Sequence, residues 1–346
     1  MKQDDVRRLN VAVSDAGEDL YCVTGAVPLF AETAAAFSCD GERPLLLLPG
    51  GFVPSAEAGG TRLASFSPHL PYGGNAYAFS QGVLAADVRL LGETPFRAFC
   101  RDRGVDRLIV PFAELADETE YGGRSAYAWI AEWRAELPDP LRVSALFSSP
   151  IEDYGPFLSR FGSPGCTVAI ASDRPDFRSY QLKDVAAKYA YALDLAERRA
   201  GCRTAVLFTD RREAEEFRRF AGRRGRRVLL FTGGLDDAGQ QAALNAFAGG
   251  DGVLIATKSV LPSSLFFRAD EVVFCGAPYS LSFLARCASF AANGDLTCCF
   301  CPEDIKTDIN ILRHFAERRP EGERDAYFTG ALARLLEVKK LICDAD

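Results

Sequence analysis

The second half of the chain alternates short apolar runs with amphipathic stretches, a pattern that few architectures can accommodate. Thr204–Phe208 is a β-rich run, and Arg211–Ala221 follows with Ala214, Phe217 and Ala221 at helical spacing. Val228–Phe231 is the next strand and Gly233-Gly234 a turn. Asp236–Phe247 then reads as a helix capped by its aspartate, turning Leu244 and Phe247 inward and ended by Gly249-Gly250. Gly252–Ala256 and Glu271–Cys275 are further strands. Alternation of this kind joins parallel strands through helices, so it predicts an α/β fold with a sheet covered on both faces.

The first half repeats the grammar less cleanly. Pro44–Leu48 is a strand that stops at Pro49-Gly50-Gly51, Arg107–Val110 is another, and Ala126–Glu136 is a helix ended by Pro138. The chain turns polar around Asp173-Arg174-Pro175, and a long helix, Val185–Arg199, follows. At 346 residues the chain exceeds the usual size of one hydrophobic core. Two domains are expected, residues 1–180 and 181–346. Apolar runs such as Leu45–Leu48 fall far short of the roughly 20 residues that cross a bilayer, and Met1-Lys2-Gln3-Asp4-Asp5 is no secretory signal. A cytoplasmic location is the expectation.

Eleven cysteines, an odd number scattered over apolar segments, suit reduced and buried thiols. The closest grouping, Cys298, Cys299 and Cys301, has no second Cys/His pair at zinc-site spacing, so no metal is expected. Net charge is −7, split unevenly: 24 Lys+Arg against 23 Asp+Glu from Gln181 onward, and 16 against 24 before it. The arginines at 211, 212, 218, 219, 223, 224, 226 and 227 gather in one helix-plus-loop stretch. A solvated face partly neutralised by Glu213, Glu215 and Glu216 is the simpler reading of that run, and a phosphate-binding surface the alternative.

Taken in order, these segments resemble the RecQ-type superfamily 2 DNA helicases. Arg107–Pro138 is similar to the stretch that carries the family's DEAH box, aromatic-rich loop and following helix, and Ser172–Arg178 resembles its F-D-R-P-N-x-R hallmark. Ala205–Phe220, Thr232–Phe247, Gly252–Thr257 and Pro302-Glu303-Asp304-Ile305 follow the later motifs in sequence. The resemblance implies two tandem RecA-like (P-loop NTPase-type) parallel-sheet domains with flanking helices.

The family's ATP chemistry does not carry over. A P-loop cradles phosphates in backbone N–H groups, reaches them with a lysine and holds magnesium through Ser/Thr. The matching Pro49–Ser55 has Pro54 at the lysine position and Phe52 and Val53 in place of glycines. What remains is Gly50, Gly51 and Ser55, at most a weak anion site. Where the family has Asp-Glu-Ala-His the chain reads Pro111-Phe112-Ala113-Glu114, and the two arginine-finger positions read Phe290 and Asn293. Of the family's four zinc cysteines only Cys343 has a counterpart, so no zinc module is expected. The sequence thus predicts no cofactor and neither ATPase nor helicase activity.

Three functions are compatible with this pattern. One is a pseudo-helicase, an accessory in DNA metabolism that still binds single-stranded DNA through Ser67, Arg124, Tyr127, Thr232, Gly233, Thr257 and Lys258. Each has a structural alternative: Arg124 could pair with Glu120, and Tyr127 could be core. Another is a scaffold for a protein partner, which an acidic first half favours. The last is an unrelated two-domain transferase; against it, His69 and His314 stand without an evident acid/base partner in sequence.

Overall fold

The computed structural model describes residues 20–23, 42–48, 56–58, 61–67, 69–80, 82–113, 127–137, 141–147, 161, 166–169, 177–198, 201–250, 252–257, 269–277, 284, 287–288, 290–291 and 295–343. The chain divides into two compact units, Met1–Ser172 with Val260–Phe266, and Asp173–Ser259 with Phe267–Asp346. Each has its own sheet.

In the first unit the strands are β1 (Leu20–Val23), β2 (Pro44–Leu48), β3 (Ala56–Ala58), β4 (Thr61–Ser65), β5 (Gly82–Asp87), β6 (Arg107–Pro111), β7 (Arg142–Phe147) and β8 (Cys166–Ala169). They lie in the order β3-β4-β5-β2-β6-β7-β1-β8, parallel throughout except for the β3–β4 hairpin. Parallel sheets are covered on both faces, so their central strands are apolar without alternation. Leu45 to Leu48 obey this, each with no exposed surface. Helices α1 (Tyr72–Ser80), α2 (Thr94–Asp102) and α3 (Ala128–Glu136) belong to this unit, and Phe96, Phe99, Ile130 and Trp133 are their buried anchors.

The second unit contains β9 (Phe177–Gln181), β10 (Thr204–Phe208), β11 (Val228–Phe231), β12 (Val253–Thr257), β13 (Glu271–Cys275) and β14 (Leu296–Phe300), all parallel in the order β11-β12-β10-β13-β14-β9. Its helices are α4 (Val185–Arg198), α5 (Arg211–Gly222), α6 (Asp237–Ala248), α7 (Pro302–Glu317) and α8 (Arg324–Cys343). The spacing read from the sequence places Ala214, Phe217 and Ala221 of α5 in the core, where they meet Tyr189, Ala192 and Leu193 of α4 over Val206, Phe208, Ile255 and Val273. Asp210 caps α5 by accepting from the Glu213 N–H at 2.9 Å, and Asp236 caps α6 through the Gly239 N–H at 2.8 Å.

The structure adds to the sequence expectation, which marks β2 and β6 among the strands of the first sheet. Phe177–Tyr180 lie within the expected first domain of residues 1–180, whereas strand β9, Phe177–Gln181, pairs along its length with β14 and the compact units divide at Ser172/Asp173. Strands β1, β3, β5, β7 and β8 are not marked in the sequence, and β1 sits between β7 and β8. Cys100, Cys275, Cys287, Cys298, Cys299 and Cys301 are buried free thiols, as the scattered cysteines suggested.

Candidate nucleic-acid interface

In a parallel α/β sheet, ligands gather beyond the C-terminal ends of the strands. At that edge of the second unit the β11–β12 register sets Phe231 beside Ala256, which brings the next residues, Thr232 and Thr257, opposite each other. Both are buried, at 1% and 2% exposure, so neither offers its hydroxyl freely to solvent. Gly233, the next residue, is exposed. Gly234 supports a close approach from the start of α5: a methyl group there would lie 2.0 Å from a guanidinium nitrogen of Arg211. A larger residue at 234 would therefore push the arginine away. Among the described residues the edge thus offers Arg211, itself paired with Glu215 at 2.8 Å, beside an open glycine backbone. Arg211 was read from the sequence only as part of the arginine run; the Gly-Gly turn was the signal that something packs closely there.

Below this edge lies an ionic centre that the sequence did not reveal. Lys188 of α4 has no exposed surface, and its ammonium sits 2.5 Å from Glu213 of α5 and 2.5 Å from Asp304 of α7. Asp304 also accepts from the Cys301 N–H at 2.7 Å, closing the first turn of α7. One lysine therefore ties together the first turns of two helices. Burial alone would lower its proton affinity, but the two carboxylates outweigh burial and hold the ammonium charged, with its pKa above the ordinary value. Burial pushes Glu213 up to about 7, an effect that Lys188 only partly offsets.

The first unit presents little chemistry at the positions singled out. Ser67 follows β4 and is half-buried, its N–H donating to Asn75 Oδ1 at 3.0 Å and its carbonyl accepting from Asn75 Nδ2 at 2.8 Å. Tyr127 is 3% exposed and packs edge-on against Phe161, so its ring is part of the core and offers no open face to a base. At the end of β6, Phe112 and Ala113 have no exposed surface and Pro111 is buried. Phe112 adopts a left-handed backbone, φ 53°, rare for a residue with a Cβ. Phe290 of the second unit is also fully buried. Gly50, Gly51, Ser55, Glu114, Arg124, Lys258 and Asn293 lie outside the described residues. Among the described residues no three His, Cys, Asp or Glu side chains come together as a metal set. His69 and His314 are exposed. No helix among the described residues is long and apolar enough to cross a membrane.

Two parallel-sheet α/β units with flanking helices match the RecA-like fold of solved helicase structures. The chain is similar in structure to the Mycobacterium smegmatis helicase Lhr, solved bound to ssDNA and AMP-PNP, with a TM-score of 0.64 and 14% identity. It is similar also to the DUF1998 helicase MrfA, solved bound to DNA and AMPPNP, with a TM-score of 0.60 and 13% identity. The match covers 92% of this chain in both cases, and 48% and 51% of those chains, so the chain spans about half their length. At such identities the likeness is one of fold. No protein-family model matches the sequence, and no curated protein matches it.

Proposed function

We propose that the chain is a RecQ-like helicase core without ATP turnover, a cytoplasmic accessory in DNA metabolism that holds single-stranded DNA at the C-terminal strand ends of its second unit. The observation that carries this reading is the end of β6. Phosphoryl transfer on this fold needs hard oxygen ligands for magnesium and a carboxylate to orient water, and the strand ends instead in buried Pro111, Phe112 and Ala113. A phenyl ring can do neither.

The lysine distribution supports the same conclusion whichever loop meets the phosphates. Two strands of the first sheet, β1 and β2, run into glycine-containing segments, Thr24-Gly25-Ala26-Val27-Pro28-Leu29 and Pro49-Gly50-Gly51-Phe52-Val53-Pro54-Ser55. Neither contains a lysine, and none occurs between Lys2 and Lys183. The phosphate-reaching ammonium of a P-loop therefore has no counterpart in either segment. Affinity for DNA would rest on Arg211 and the exposed Gly233 backbone, contacts that meet phosphate and carry no base sequence.

The test is fluorescence anisotropy with oligo(dT) at two salt concentrations, run beside a phosphate-release assay with magnesium and ATP. The expected result is salt-sensitive binding without phosphate release. Arg211→Ala should weaken binding severalfold and lower the salt slope by about one. DNA-stimulated phosphate release abolished by a substitution at Ser55 or Glu114 would overturn the inactive reading, and binding indifferent to salt and to Arg211→Ala would overturn the DNA reading.

A further inference from the structure

The arginine run forms a solvated face that is partly neutralised, as its sequence suggests, and the neutralisation is uneven. Each of the three glutamates expected to balance it is already engaged: Glu213 turns inward to Lys188, Glu215 pairs with Arg211, and Glu216 pairs with Arg212 at 3.1 Å. Arg226 is held by Glu197 of α4. Arg218, Arg219, Arg223 and Arg224 are exposed and, among the described residues, form no salt bridge with any carboxylate. Arg219 and Arg223 are four residues apart and so stand on one side of α5.

These two arginines line a shallow depression of about 460 Å³ between α4 and α5, whose open apolar surface comes from Val185 and Ala186, with Tyr189 and Phe220 largely covered beneath and Glu216 also lining it. A second depression of about 550 Å³ is lined by Arg219, Gly222 and Arg223. Among the described residues Arg219 and Arg223 donate only to the Glu215 and Arg219 carbonyls, and guanidinium groups without a carboxylate beside apolar surface fit carboxylates interleaved with apolar side chains. A nucleic-acid strand could meet the guanidinium groups through its phosphates but would gain no base stacking here. Phe220 is covered by the Arg224 guanidinium 4.0 Å from its ring centroid, and Tyr189 is 5% exposed. Arg223 also lies twelve residues beyond Arg211, about 18 Å along a helix, well away from the strand-end edge.

We propose that this groove between α4 and α5 is a docking site for an acidic segment of a partner protein, with apolar side chains seated on Val185 and Ala186 and carboxylates on Arg219 and Arg223. The proposal does not depend on DNA binding at Arg211. It is tested by anisotropy on the whole chain with labelled dodecapeptides of one length: glutamate alternating with leucine and phenylalanine, polyglutamate, and the first peptide with lysine for glutamate. Oligo(dT) is the competitor.

The alternating acidic peptide should bind about tenfold more tightly than polyglutamate, and the lysine peptide should not bind. The exposed pair Arg219→Glu/Arg223→Glu, with an unchanged melting temperature, should lose at least about tenfold, and Val185→Asp should remove the preference for the apolar peptide over polyglutamate. Equal binding of the two acidic peptides, or undiminished binding by the double variant, would overturn the proposal. So would oligo(dT) affinity that falls in the double variant and displaces the peptide, which would assign the patch to nucleic acid.

Discussion

A lysine with no exposed surface must have its charge answered inside the protein, and Lys188 is answered twice. Removing one partner from a buried ion cluster leaves the others desolvated and uncompensated, typically at about 3–5 kcal/mol. Lys188→Met should therefore destabilise the protein by that order in denaturant melts, and the triple variant Lys188→Met/Glu213→Gln/Asp304→Asn should recover part of the loss. The cluster holds two acids against one base, with Asp210 and Tyr189 close enough to bear on its charge. Glu213, raised from an ordinary 4.5 to about 7, binds a proton more readily folded than unfolded. Its contribution to stability is therefore greatest at low pH, declines as pH rises from about 4.5 to about 7, and is level above that. The melting temperature should fall between pH 5 and pH 7.5 more steeply in the parent protein than in Glu213→Gln; identical slopes would remove Glu213 from the titration. The sequence held a trace of this centre, because Lys188 shares a helical stripe with Val185, Ala192 and Leu195. A lone lysine in such a stripe reads as solvated, and its two partners lie 25 and 116 residues away.

Elements were legible in proportion to how locally they are determined. Thr204–Phe208, Val228–Phe231 and Glu271–Cys275 form strands over the residues that their apolar runs mark, and α5 and α6 begin at their aspartate caps. Strand β1 escaped because Leu-Tyr-Cys-Val, as short as β11, has no neighbouring strand–helix alternation to mark it, and its pairing partners β7 and β8 lie more than a hundred residues onward. The boundary near residue 181 differs from the unit division at Ser172/Asp173 for the same reason: β9 joins the second sheet through β14, which begins at Leu296. Of the candidate interface, the strand-end placement of Thr232 and Thr257 could be read, whereas their burial and the Arg211–Gly234 contact depend on packing. Gly82 shows how tightly such pairing is built. It opens β5 opposite Arg62 of β4, and a Cβ there would sit 2.0 Å from the Arg62 carbonyl oxygen. Backbone cannot move aside as a side chain can, so Gly82→Ala should cost about 1–3 kcal/mol by overpacking. Gly234→Ala meets only the mobile end of Arg211 and should leave stability nearly unchanged while weakening oligo(dT) binding. A Gly82→Ala protein as stable as the parent would mean that the β4–β5 register is looser than described.

At the scale of the whole molecule, two sheets whose strands pair within their own units lead us to expect two unfolding events. The chain supplies its own reporter: both tryptophans, Trp129 and Trp133, stand on α3 of the first unit. Trp133 is 1% exposed, and Trp129 packs against Gly92, where an added Cβ would lie 3.1 Å from the indole, so unfolding of that unit should change their emission. Lys188, Glu213 and Asp304 all lie in the second unit. Lys188→Met should therefore move the far-ultraviolet circular dichroism and calorimetric transition of the second unit to lower denaturant or temperature while the tryptophan transition stays in place. Gly82→Ala should do the reverse, shifting tryptophan emission and sparing the other transition. If either substitution moved both signals together by the same amount, the two units would fold as one cooperative body, and the destabilisation expected from the Lys188 centre would have to be measured against the stability of the entire chain.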